Sequence, residues 1–91
     1  MVTAIILINA ERERIVPAAQ EILELEGITE VYSVAGNYDL VGVARVRHND
    51  DLAKLVTEDL IAMDGITRTM TLIAFRQYSQ HDLETIFEVG E

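Results

Sequence analysis

The chain has 91 residues and no cysteine. This excludes a disulfide framework, a thiol nucleophile and a thiolate metal site, and it suits a reducing compartment. Basic residues are scarce: seven against sixteen acidic ones, for a net charge of −9. Phosphate binding depends on Lys and Arg displacing counterions, and Arg12, Arg14, Arg45, Arg47, Lys54, Arg68 and Arg76 form no dense block. Direct binding to nucleic acid or to an anionic membrane is therefore not expected. No apolar run approaches the ~20 residues that span a bilayer. The start, Met1 to Ile8, lacks a basic leader region, so the expected location is the cytoplasm.

Catalytic signatures are missing as well. His48 and His81 sit in polar stretches without a second ligand at i+4, so metal-site spacing is absent. Ser33 and Ser79 lack a nucleophile elbow. The glycines, Gly27, Gly36, Gly42, Gly65 and Gly90, are too scattered to make a phosphate loop. Glu58 and Asp59 are adjacent on a predicted helix and diverge, Asp50-Asp51 suits helix capping, and Glu11 to Arg14 reads as a solvated charged face. No enzyme, metal or cofactor is expected from these residues.

What the chain does have is apolar residues, 49% of the total, with a mean hydropathy of +0.18. A single small domain of this length buries a limited share of its surface. The excess suggests that apolar surface is covered by oligomerisation, and the acidic balance keeps such a protein soluble.

The chain is also duplicated. Leu25-Glu26-Gly27-Ile28-Thr29-Glu30 recurs as Met63-Asp64-Gly65-Ile66-Thr67-Arg68, an offset of 38 (65 − 27). At that offset Ile5 to Ile8 falls on Val43 to Val46, and Ile22-Leu23 on Leu60-Ile61. Each copy reads strand, helix, glycine, strand. Two copies give βαββαβ, the split βαβ arrangement, within one domain spanning residues 1–91.

In order, Thr3 to Ile8 is nearly all apolar and β-branched, a strand expected to be covered on both faces. Apolar residues then recur at helical spacing, Ile15, Ala18 or Ala19, Ile22 and Leu25. Pro17, the one proline, fits only a first turn, so regular helix starts near Arg14. Gly27 is expected to stop this helix as a left-handed cap. Strands follow over Ile28 to Ala35 and Tyr38 to Arg47, then a helix with Asn49 or Asp50 as its N-cap. Leu52, Leu55, Val56, Leu60 and Met63 line that helix. A long fourth strand runs from Ile66 to Gln77, and Ser79 with Asp82 suggests a short last helix. The fold class is α+β: a four-stranded antiparallel sheet with two helices on one face. The other face would be bare. Val31, Ala35, Ile73 and Phe75, or their opposites, would be exposed there, which calls for a second copy packed sheet to sheet.

Between strands two and three lies Ala35-Gly36-Asn37-Tyr38-Asp39-Leu40. Gly-Asn between two strand-like runs signals a tight hairpin, because both residues accept positive φ. The hairpin gathers backbone N–H groups at Gly36 and Asn37, the Tyr38 phenol and the Asp39 carboxylate. A carboxylate beside free N–H donors can hold both ends of a zwitterion; alternatively, Asp39 simply closes the turn. Thr67, Thr69 and Thr71 share one face of strand four and could line a polar pocket, although threonine also suits any strand.

Gly36-Asn37-Tyr38-Asp39-Leu40, followed by Val43 to Val46, and Met63-Asp64-Gly65-Ile66-Thr67-Arg68-Thr69-Met70-Thr71-Leu72-Ile73, resemble the effector-binding (RAM) domain of Lrp/AsnC transcription regulators. The likeness runs from about Thr3 to Arg76. Those regulators carry a helix-turn-helix domain that this sequence does not show, so it resembles a stand-alone RAM domain. The resemblance implies a ferredoxin-like fold of the dimeric α+β barrel type. It also implies dimers formed through the sheets, a ring of four dimers, and amino-acid effectors held between dimers by the hairpin. It places Gly36, Asn37, Tyr38 and Asp39 at the ligand, with Asp39 on the ammonium and N–H groups near Gly36 on the carboxylate. Thr69 and Thr71 are added from strand four, and full-length Lrp/AsnC-type regulators become possible partners. An enzyme of the oxygenase or isomerase type, using Tyr32 or Tyr38, and a scaffold that binds nothing small are the competing readings.

Overall fold

The computed structural model describes residues 1–80. The short last helix expected after Ser79, with Asp82 in its cap, lies outside them, as does His81. The elements are β1 (Val2–Ala10), α1 (Ile15–Leu23), β2 (Ile28–Ser33), β3 (Leu40–Val46), α2 (Asn49–Lys54) and β4 (Ile66–Ile73). The sheet is wholly antiparallel in the order β2-β3-β1-β4. Each helix crosses over the strand between the two it connects, which is the split βαβ topology.

Register fixes the faces. Ala4, Ile6 and Ile8 of β1 are fully buried, in line with Leu40, Ala44 and Val46 of β3. Ala18, Ile22, Leu52, Leu55 and Leu60 close over them from the helices. Both helices therefore cover one face. The alternate positions of β1 point the other way, and Ile5 is 38% exposed. Coverage of β1 on both faces, expected from its sequence, is thus not met within one copy, because a two-layer domain has no third layer.

Local chemistry explains the element ends. A 3-10 turn, Arg12–Arg14, precedes α1 and leaves Pro17 in the first turn, where its missing N–H costs nothing. The α-helix stops at Leu23, earlier than a cap at Gly27 requires. Gly27 instead sits third in a turn closed by Ile28 N–H to the Leu25 carbonyl, 3.2 Å, with φ +99°. That position of a type II turn needs positive φ. Gly65, its equivalent in the second half, has φ +88°. The two halves lock reciprocally: the Gly27 carbonyl accepts from Arg45 N–H, and the Gly65 carbonyl from Glu11 N–H, both at 2.8 Å.

Helix α2 is capped by His48, not by Asn49 or Asp50. The extended His48 backbone turns its N–H to the Asp51 carboxylate, 3.3 Å. Past Lys54 the helix widens into a π turn, Leu55–Asp59, with Leu60 N–H bonded to the Leu55 carbonyl at 2.9 Å. The Thr57 hydroxyl donates to the Ala53 carbonyl, 2.6 Å, a local bond that loosens regular helix. β2 and β3 are shorter than expected, since Val34 to Asp39 form a loop, and β4 ends at Ile73 instead of reaching Gln77.

Candidate functional site

The β2–β3 loop is fastened to the C-terminal end of β1. Asp39 N–H donates to the Ile8 carbonyl at 2.9 Å, and Val34 N–H to the Asp39 carbonyl at 3.0 Å. The Asp39 Oδ2 accepts from Ala10 N–H, 3.0 Å. The Asn9 amide donates to the Asn37 carbonyl, 3.0 Å. Only Gly36 uses positive φ, +125°, and its Cβ position opens on empty space. Asn37 does not, so the connection is a six-residue loop and not the tight Gly-Asn hairpin expected. The β1 anchors replace a close turn as the source of its shape.

Two kinds of group remain unspent. Among the described residues, the N–H groups of Ala35, Gly36, Asn37 and Tyr38 and the Asp39 Oδ1 have no hydrogen-bond partner. The loop thus offers donors and one anionic acceptor side by side. Asp39 both closes the loop, through Oδ2, and presents a second oxygen. The Tyr38 hydroxyl reaches Met70 Sδ, 3.6 Å, across β1 on the open sheet face.

Thr69 and Thr71 are not part of this cluster in one copy. They pair with Ile8 and Ile6, on the helix-covered face, while Tyr38 crosses the opposite one. The Thr71 Oγ1 is buried without a partner. The residues that sequence reasoning missed are Asn9, Ala10 and Met70. Asn9 carried a signal, being the first polar side chain after the apolar run of β1.

A cleft of about 400 Å³ lies at the other end of the sheet from the loop, between Gly27, Arg47 and Lys54. Among the described residues no cluster of His, Cys, Asp and Glu could hold a metal, and no helix is long and apolar enough to cross a membrane.

The open sheet face carries Ile5 and Leu7, Val41 and Val43, Met70 and Leu72 in register. At its β2 edge the Arg45 guanidinium donates to the Thr29 hydroxyl, 3.0 Å, and lies 3.6 Å from the Glu30 carboxylate. The other Glu30 oxygen accepts from the Tyr32 hydroxyl. That hydrogen bond, and then the Glu30 charge itself, push the Tyr32 pKa up, with a small contribution from burial and Arg45 opposing. A phenol held protonated is the reverse of an activated base. The stabilisation from this pair is fully present below an ordinary tyrosine pKa and is lost as pH rises through the raised one. Ultraviolet titration should show one phenol ionising above the ordinary range, returning toward it in Glu30→Gln.

The family model of the Lrp/AsnC ligand-binding domain matches residues 3–83, and the chain belongs to that family. It is 33% identical over 72 residues to an uncharacterised HTH-type transcriptional regulator of Pyrococcus furiosus, covering 79% of this chain and 48% of that one. The chain therefore spans about half the length of the curated relatives it matches. TTHA0845 from Thermus thermophilus has the same fold, with TM-score 0.83 and 40% identity over 88% of this chain and 100% of its own. The feast or famine regulatory protein of M. tuberculosis complexed with L-methionine shares the fold alone, with TM-score 0.74 and 23% identity over 88% and 54%.

Proposed function

We propose that this protein is an oligomeric amino-acid-binding module that acts on transcription or amino-acid metabolism through other proteins. The observation that carries this is the anchored loop: four unspent N–H donors from Ala35 to Tyr38 beside an unspent Asp39 oxygen. A carboxylate ligand suits the donors and an ammonium suits Asp39. Membership of a ligand-binding-domain family and the methionine complex of a protein with the same fold support the ligand class.

One copy leaves the loop unroofed and the sheet face bare. Two copies packed through Ile5, Leu7, Val41, Val43, Met70 and Leu72 would cover that face. Association of dimers, as a tetramer of dimers, would then enclose the loops; Thr69 would reach a ligand only across such a contact, and the buried Thr71 hydroxyl would first have to be uncovered. A ligand held between copies stabilises the assembled form by linkage. Full-length regulators with the same domain are candidate partners through mixed oligomers. Calorimetric titration of the assembled protein with each of the twenty amino acids is expected to give saturable heat with at least one. Heat from none overturns the reading.

A further inference from the structure

We infer that the cleft at the far end of the sheet from the loop is a second ligand site, which takes a small organic carboxylate on Arg47. Nothing in it draws on the loop or on the loop's ligand. The chain has seven basic residues against sixteen acidic ones, yet three of the seven, Arg45, Arg47 and Lys54, line this one cleft. Its volume, about 400 Å³, falls within the range of small-molecule sites, roughly 300–1,000 Å³. The walls come from both halves of the duplicated chain. Glu26 and Gly27 supply one, from the turn that enters β2; Arg47, Asp51, Lys54 and Asp59 supply the other. The Gly27 carbonyl, bonded to Arg45 N–H at 2.8 Å, pins the two walls together. A Cβ at Gly27 would stand 2.8 Å from Val46 Cγ1, so bare backbone is required at that wall.

The charges in the cleft are unequally spent. Arg45 is held at the β2 edge by Thr29 and Glu30. Lys54 pairs with Asp59 at 3.2 Å. That pair exists because of the π turn. Residues five apart diverge on a regular α-helix, whereas the wider turn over Leu55–Asp59 brings the fifth residue back under the first. Irregularities of this kind recur at functional sites. Asp51 accepts from His48 N–H. Among the described residues the Arg47 guanidinium, the Glu26 carboxylate and the Gly27 N–H have no hydrogen-bond or ion-pair partner. One cation and one anion thus border the same space without meeting. Arg47 presents a planar fork of donors that matches a carboxylate. Glu26 can accept a hydroxyl or N–H from the rest of the ligand, and with Asp51 it repels a second negative charge. The ligand class is therefore a monocarboxylate that carries a hydrogen-bond donor, and a polyphosphate is disfavoured.

Lactate is the probe, because it has a carboxylate and a hydroxyl but no ammonium for Asp39. Titrated into the 15N-labelled protein at constant ionic strength, it is expected to shift the amides of Gly27 and Arg47 saturably and those of Arg12 and Arg68 not at all. Arg47→Gln is expected to weaken lactate at least about tenfold, the loss of a charge-assisted fork, with Arg47→Lys in between. Arg47 is exposed, so neither substitution threatens the fold. Pyrophosphate is expected to bind the parent more weakly than lactate does, and to gain at least about fivefold in Glu26→Gln. Shifts that never saturate, shifts at every arginine alike, or equal binding by the parent and Arg47→Gln overturn the inference. Shifts confined to Gly36 to Tyr38 overturn it too, since lactate then sits at the loop. Asp39→Asn keeps the two sites apart. If it loses amino-acid binding and keeps lactate, both sites stand. If no amino acid binds the parent and lactate still does, only the loop reading falls.

Discussion

Ile6→Ala is expected to destabilise the folded chain by about 3–5 kcal/mol, toward the top of the range for truncating a buried isoleucine. Ile6 is fully buried in β1, between β3 and β4. Its partner across the β1–β3 ladder is Gly42, which has no side chain to move into the void, and its partner on β4 is the shorter Thr71. The cavity should therefore stay open. Small domains have only ~5–15 kcal/mol of stability in all, so the variant loses a large part of it. Ile5→Ala is the control. One residue away, it removes the same atoms from the open face, where Ile5 is 38% exposed. Its cost in a single copy should be under ~1.5 kcal/mol, with its larger effect on assembly. Urea midpoints at one fixed low protein concentration compare the two, because ligand or subunit binding shifts apparent stability. Equal losses would contradict the register that sends Ile6 inward and Ile5 outward.

The sheet and its helices were legible because each half carries its own punctuation. The apolar runs give the strands, Pro17 limits where the first helix starts, and the repeated Gly-Ile-Thr places Gly27 and Gly65 at matching turns. The two φ values, +99° and +88°, bear out the duplication as geometry. Less legible was anything set by pairing across the sheet. A strand shows its two faces as alternation but not which one meets the helices, so the bare face could be named only as one set or its opposite. Register with β1 decides it: Met70 and Leu72 face out with Leu7 and Ile5, whereas Thr69 and Thr71 turn toward the helices. The loop was misread for a related reason. Gly36-Asn37 has the composition of a tight turn, but its shape is set by Asn9 and Ala10, some thirty residues away in sequence and adjacent in space. Local signals carry no record of such anchors. The π turn after Lys54 and the cap at His48 differ in kind: the bonds beside them are local, from the Thr57 hydroxyl to the Ala53 carbonyl and from His48 N–H to the Asp51 carboxylate three residues on.

Asp39 is where the fold and the proposed function compete, and two substitutions separate them. Asp39→Ala removes the acceptor for Ala10 N–H as well as the charge. A hydrogen bond to a charged group contributes about 1.5–3 kcal/mol when made. The contact is only part-buried, so a cost of about 1–2 kcal/mol is expected, with loosening of the β2–β3 loop. Unchanged stability, which treating Asp39 as a pure ligand contact implies, is therefore not expected. Asp39→Asn keeps an oxygen for Ala10 N–H and drops the charge that would meet an ammonium. It should stay within ~1 kcal/mol of the parent in urea and still lose amino-acid affinity by at least about a hundredfold, the scale of a desolvated charge pair left with one partner. If Asp39→Asn binds the same amino acid as tightly as the parent, Asp39 serves the loop alone. The ligand must then be held by the N–H groups of Ala35 to Tyr38 without it. If both variants lose binding and only Asp39→Ala loses stability, one oxygen holds the loop and the other is left for the ligand. That division accounts for a carboxylate at this position, since an amide can satisfy Ala10 N–H but cannot balance an ammonium charge.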